Sequence, residues 1–129
     1  MEYENTPVES TTATQGLVID RIFTKPELSV YDMIEYDNRN STIRNPDGSV
    51  VFDMQNVEVP TSWSQIATDI LAQKYFRKAG VPEVESENSI KQVVHRLVGC
   101  WTDWGTKFGY FNSTKDSKSF YEEMACILL

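Results

Sequence analysis

The chain reads as an α+β protein: N-terminal extended segments with a β-hairpin, followed by three helices that dominate the architecture. Three observations predict this. Asn45-Pro46-Asp47-Gly48 separates two short β-forming runs, Thr42-Ile43-Arg44 and Val50-Val51-Phe52. The stretch from Val57 to Pro82 runs from strand to proline corner to capped helix to glycine stop. From Ile90 to Phe108 apolar residues then recur every three or four positions, the period of an amphipathic helix.

Residues 1 to 15, MEYENTPVESTTATQ, are polar and without period, so a mobile tail is expected there and one α+β domain over 16–129. Leu17 and Ile19, with Ile22 and Phe23 as further candidates, suggest an anchoring strand ended by Thr24-Lys25-Pro26. Tyr31, Met33 and Ile34 suggest a second extended segment. In the hairpin, Asn45 suits the first position of a type I turn, Pro46 fixes φ at the second, and Gly48 takes the left-handed site. A two-stranded hairpin is marginal alone, so it must lean on the helices or on another part of a larger protein.

Val57 and Val59 alternate with Glu58 as in a half-buried strand, and Pro60 closes it. Thr61 and Ser62 are the expected caps of the first helix. Trp63, Ile66, Ala67, Ile70, Leu71 and Tyr75 would form its buried face. Lys74, Arg77 and Lys78 gather in the last turn, where positive charge suits the helix dipole. Gly80 and Pro82 are read as the stop. The second helix is expected to start at Asn88 or Ser89 and to bury Ile90, Val93, Val94, Leu97, Val98, Trp101, Trp104 and Phe108, with Gly99 marking a close approach and Gly109 the end. Ser113 to Asp116 resembles a capping box. It opens a third helix that buries Phe120, Met124 and Ile127 or Leu128. That helix runs into Met124-Ala125-Cys126-Ile127-Leu128-Leu129 without glycine or cationic turn, which implies a longer polypeptide or a docking partner.

With 129 residues, 40% of them hydrophobic, the chain supports one modest core rather than two. A net charge of −7 opposes a polyanion-binding surface, so no nucleic-acid partner is expected. No apolar run reaches the roughly 20 residues of a membrane span. The N-terminus lacks the basic and apolar regions of a secretory signal. The two cysteines, Cys100 and Cys126, are then expected to stay reduced, in the cytoplasm.

The run VEVPTSWSQIATDILAQKYFRKAGVP, with SIKQVVHRLVGCWTDWGTKFGYF after it, resembles the N-terminal region of adenosylcobalamin-dependent (class II) ribonucleotide reductases. VPTSWSQ-A, the KYFR helix end and W-x-x-W-G-x-x-x-G-Y-F carry the resemblance together; no one of them would alone. The similarity extends from about Gly16 to the last residue. It implies a non-catalytic domain that precedes and supports a catalytic barrel, in the same or a second chain. The enzyme would convert ribonucleotides to deoxyribonucleotides for DNA synthesis. Adenosylcobalamin and nucleotides would belong to the full enzyme, with none bound by this chain alone. In that family the reactive cysteines lie in the barrel and a C-terminal tail, outside the residues present here.

No catalytic, cofactor-binding or metal-binding residue is therefore assigned. Cys100 and Cys126 fall in apolar helical patterns and are read as buried packing residues. His95, the only histidine, has Lys91, Gln92 and Gly99 at helical spacing, so it should face solvent without a metal-ligand partner. Asp37, Asp53 and Glu58 read as solvated charges without partners, and Glu83, Glu85 and Glu87 as a solvated connector. Trp101, Trp104 and Phe108 could stack on a base, but so many aliphatics share their stripe that a core or interdomain role is favoured. The amides at Thr61-Ser62-Trp63 could hold an anion; ordinary capping is the simpler reading. A second hypothesis is a free-standing acidic protein-interaction module, which the reading frame downstream of the gene would distinguish. Self-association through the C-terminal helix is a further expectation.

Overall fold

A computed structural model describes residues 16–129; the expected tail over 1–15 lies outside the described residues. Two long antiparallel strands, β1 (Tyr36–Arg44) and β2 (Val50–Pro60), are followed by a short α1 (Gln65–Ile70), a long α2 (Ile90–Lys107) and α3 (Thr114–Leu128). The α+β reading holds.

The hairpin is longer than the turn residues alone implied. It pairs Tyr36 with Pro60 at its base and Ile43 with Phe52 near its tip. The strand expected at Val57–Val59 is thus the far end of β2, not a separate element. Its turn closes as the residue types require: the Gly48 amide donates to the Asn45 carbonyl at 2.9 Å, and Gly48 has φ +87. Asp47 accepts from the Ser49 amide and hydroxyl, which hold its carboxyl below the usual range. Only the base of the hairpin joins the core, where Val57 and Val59 are fully buried, while Val50 and Val51 near the tip are exposed.

Val57 and Val59 cluster with Leu71, Ala72 and Phe76 and with Ile90, Val93, Val94 and Val98 of α2; Val30 and Ala125 complete the core. The first helix departs from expectation in three ways. Its cap is Ser64, whose hydroxyl accepts from the Ala67 amide; Thr61 and Ser62 lie in the preceding turn. After Ile70 the chain widens into a π-helical turn, Leu71–Tyr75, in which the Phe76 amide donates to the Leu71 carbonyl. The buried face also differs from the expected one. Thr68, Leu71 and Ala72 point inward, whereas Ile66, Ile70 and Tyr75 are exposed. Finally the helix stops at Tyr75, well before Gly80. Glu87 ends it by taking the Arg77 amide at 2.8 Å and returning its own amide to the Arg77 carbonyl.

α2 starts where expected. The Ser89 hydroxyl accepts from Lys91, and the Gln92 side chain accepts from the Asn88 and Ser89 amides, a capping box. The first half of the predicted stripe is buried, but Trp101, Trp104 and Phe108 are exposed, Trp104 by 56% and Phe108 by 62%. The last turns of α2 are not bare, since Gly105 is buried against the Phe111 ring, but the large aromatic side chains around it stay in water. The close approach is at Gly105, not Gly99. A Cβ at Gly105 would lie 2.5 Å from the Phe111 ring, while at Gly99 its nearest neighbour would be the His95 ring at 3.7 Å. Gly109, at φ +70, ends the element.

Among the described residues before the hairpin, Leu17 forms a single bridge with Phe111 but no strand, and the expected extended segment at Tyr31–Ile34 is a 3₁₀ turn over Val30–Met33. Leu17, Ile22 and Phe23 are exposed, so their side chains do not anchor the segment. Its backbone does. Gly16 packs so tightly that a Cβ would lie 2.6 Å from the Phe111 carbonyl carbon. Beyond it, acids of α3 take up the main-chain amides of Ile19, Ile22, Phe23, Thr24 and Val30.

Candidate functional site

α3 presents Asp116, Ser119 and Glu123 to the interior at spacings of three and four, one helical face. Asp116 accepts from the Ile19 amide at 3.0 Å and from the Ser113 hydroxyl at 2.6 Å, both of which favour its charged form. Glu123 accepts from the amides of Ile22, Phe23 and Thr24 and from the Thr24 hydroxyl at 2.7 Å. Burial pushes the Glu123 carboxyl up, but the Thr24 hydroxyl and these amides outweigh it and hold the group below its ordinary range. Glu122 beside it accepts from the Val30 amide at 3.1 Å and pairs with Arg21 at 3.2 Å. These carboxylates are structural anchors, saturated by donors from their own chain.

The acids read as solvated also have partners. Glu87 is buried, at 3% exposure, and paired with Arg96 at 3.1 Å. Glu58 accepts from the Ser89 hydroxyl and lies 3.4 Å from Lys91, joining β2 to the start of α2. Asp37 pairs with Arg39, whose guanidinium also reaches the carbonyls of Thr61 and Trp63. Asp53 accepts from Thr42 and Gln55 at the surface. Glu83 and Glu85 remain exposed, both at positive φ.

His95 is exposed, as its spacing implied, but it is not free. Its Nδ1 lies 2.7 Å from the Tyr121 hydroxyl, which lies 2.6 Å from that of Tyr31. Burial raises the pKa of both tyrosines, and the bond to Tyr121 raises that of Tyr31 further. Burial, then the charges of Glu58 and Asp32, push Tyr36 up to about 12. All three phenols thus stay protonated at neutral pH.

The two thiols do not form a pair, and one contradicts the packing expectation: Cys100 is exposed on α2. Cys126 is half-buried against the core, and burial followed by the Glu123 charge raises its pKa, the reverse of an activated thiolate. Among the described residues no cluster of three or more His, Cys, Asp or Glu could hold a metal ion. His95 spends one ring nitrogen on Tyr121.

What remains uncommitted is apolar. Trp63, Ile70, Tyr75, Leu97 and Leu128 border a groove between α1, the π turn, α2 and the end of α3. Further along α2, Trp101, Trp104 and Phe108 stand exposed on the same stripe as Leu97. Their exposure overturns the core reading of these aromatics. Phe120 lies 5.2 Å from the Phe111 ring, and Met124 and Leu128 are half-buried, so of the expected α3 stripe Ile127 is the residue left exposed.

Comparison with known proteins bears on what such a face is for. Residues 37–129 match the family described as class II vitamin B12-dependent ribonucleotide reductase. The chain belongs to this family. The vitamin B12-dependent ribonucleotide reductase of Bradyrhizobium diazoefficiens is 46% identical over 85% of this chain and 11% of its own length. That of Agrobacterium fabrum is 40% identical over the same shares. That of Streptomyces clavuligerus is 38% identical over 94% of this chain and 13% of its own length. The chain thus spans about a tenth of the length of these relatives, and it corresponds to the N-terminal domain of the family. No described helix of it is long and apolar enough to cross a membrane.

Proposed function

We propose that residues 16–129 act as one non-catalytic domain of a vitamin B12-dependent ribonucleotide reductase, supporting the catalytic barrel that converts ribonucleotides to deoxyribonucleotides in the cytoplasm. The observation that carries this reading is the family match over 37–129 together with the small share of each relative that it occupies. The polar side chains support it too. The carboxylates of Glu87, Asp116 and Glu123 are spent on the chain's own amides, hydroxyls and guanidinium, as in a scaffold rather than a reaction site. Adenosylcobalamin, nucleotides and the reducing cysteines are assigned to the barrel, and no residue of this chain is given a catalytic role. Self-association through the C-terminal helix is subordinate in this reading, because most of that helix's apolar side chains already pack within the chain.

Two assays test it. The purified 129-residue chain, given adenosylcobalamin, a dithiol and ribonucleotides, is expected to form no deoxyribonucleotide; measurable product would overturn the non-catalytic assignment. The Bradyrhizobium reductase with its matched region replaced by this chain is expected to retain activity. Loss of activity in that folded chimera would count against the supporting role.

A further inference from the structure

The groove bordered by Trp63, Ile70, Tyr75, Leu97 and Leu128 has a volume of about 370 Å³, and no charged side chain lines it. We propose that it seats an apolar segment of the reductase's catalytic portion, and that α1, the π turn and α2 form the face by which this domain docks. The inference rests on the reading above that the chain works as a domain of that enzyme, and it adds which surface makes the contact.

Three observations select this occupant. Most of each relative lies outside the matched region, so a domain of this kind is accompanied by a large body of chain that must contact it somewhere. The Trp63 indole Nε1 donates to the Leu129 carbonyl at 3.0 Å, which holds the end of α3 against the groove wall. Chain continuing from this position would set out from the rim of the groove and need no long linker to return to it. The apolar surface also extends past the groove: Trp101, Trp104 and Phe108 follow Leu97 at four, seven and eleven residues, on one side of α2. A contiguous apolar face of this kind marks an interaction site. A second copy is the weaker occupant, since each carries a net charge of −7 and two would repel.

Ile70→Cys places a thiol at the groove rim on a side chain that is already 49% exposed, so the substitution leaves the core intact. Val51→Cys at the hairpin tip, also exposed, serves as the reference. Each is labelled with a maleimide in the 129-residue chain and in the full-length Bradyrhizobium chimera, and the peptide carrying the new thiol is read by mass spectrometry. Position 70 is expected to react at least about tenfold more slowly in the chimera than in the isolated chain, as an occluded site does, while position 51 changes little. Equal labelling of position 70 in both proteins would overturn the docking face, even in an active chimera. Protection of position 70 in the isolated chain that grows with concentration would assign the groove to a second copy and overturn it too. An inactive chimera with position 70 protected would instead sink the supporting role and leave the docking face standing.

Discussion

Glu123 and Thr24, 99 positions apart, are joined twice: the carboxylate accepts from the Thr24 amide at 3.0 Å and from its hydroxyl at 2.7 Å. With the Ile22 and Phe23 amides on the same carboxylate, the N-terminal segment is fixed by its backbone while its large side chains stay in water. Hydrogen bonds to a charged acceptor contribute more than neutral ones, about 1.5–3 kcal/mol each by substitution. Glu123→Ala leaves these donors unpaired and is expected to destabilise by at least about 2 kcal/mol. Urea unfolding at pH 7 measures it; an unchanged midpoint would show that the tie contributes nothing.

The same group sets a pH dependence. The Glu123 carboxyl is held below its ordinary value of 4.5 in the folded chain, so the unfolded state binds the proton more tightly. Its contribution is therefore complete above the unfolded value and is lost as pH falls through the folded one. Asp116, lowered mainly by the Ser113 hydroxyl and the Ile19 amide, acts in the same direction. Stability should fall as pH drops below about 4.5, and Glu123→Gln should flatten that fall. Identical acid profiles for the parent and Glu123→Gln would contradict this.

Two glycines of α2 should respond to alanine with opposite signs. At Gly99 the added methyl meets the His95 ring at an ordinary 3.7 Å, and the helix gains up to about 1 kcal/mol. At Gly105 it would sit 2.5 Å from the Phe111 ring, and overpacking of this kind costs about 1–3 kcal/mol. Thermal unfolding of Gly99→Ala and Gly105→Ala checks the pair, and equal shifts would refute the assignment of the close approach.

Breaking the buried Glu87–Arg96 pair should be costly for a similar reason. Arg96→Ala removes the guanidinium that contacts both Glu87 oxygens and the Tyr75 carbonyl, leaving a buried carboxylate short of its cation. A loss of about 2–4 kcal/mol is expected, partly recovered in Glu87→Gln/Arg96→Ala, where no buried charge remains. A double variant no more stable than Arg96→Ala would show that the charge is not what matters.

Where a structural signal is local, the sequence carried it. The Asn45–Gly48 turn, the Ser89 and Ser113 caps, the start of α2 and the glycine stop at Gly109 each depend on residues within a turn or two, whose side chains decide the backbone at that point. The family resemblance was legible for the same reason, as a run of residues. The candidate face was only half legible: the stripe from Ile90 to Phe108 was visible, but not that its second half lies open.

Tertiary structure decided the rest. A hydrophobic stripe shows which side chains share a helix face, not whether another element covers them, so Trp101 and Trp104, read as core or interdomain, stand exposed. The π turn at Leu71–Tyr75 is a backbone choice with no residue signature here, and Ile66 and Ile70, which precede it, stand exposed where the apolar pattern placed them in the core. Glu87 looked like a solvent charge, and Glu123 gave no signal at all, because their partners are amides and a guanidinium brought in by folding, as far as 101 residues away for Glu123 and Ile22. Sequence determines the local conformations; only the packed chain determines which polar groups leave water and which apolar face stays in it.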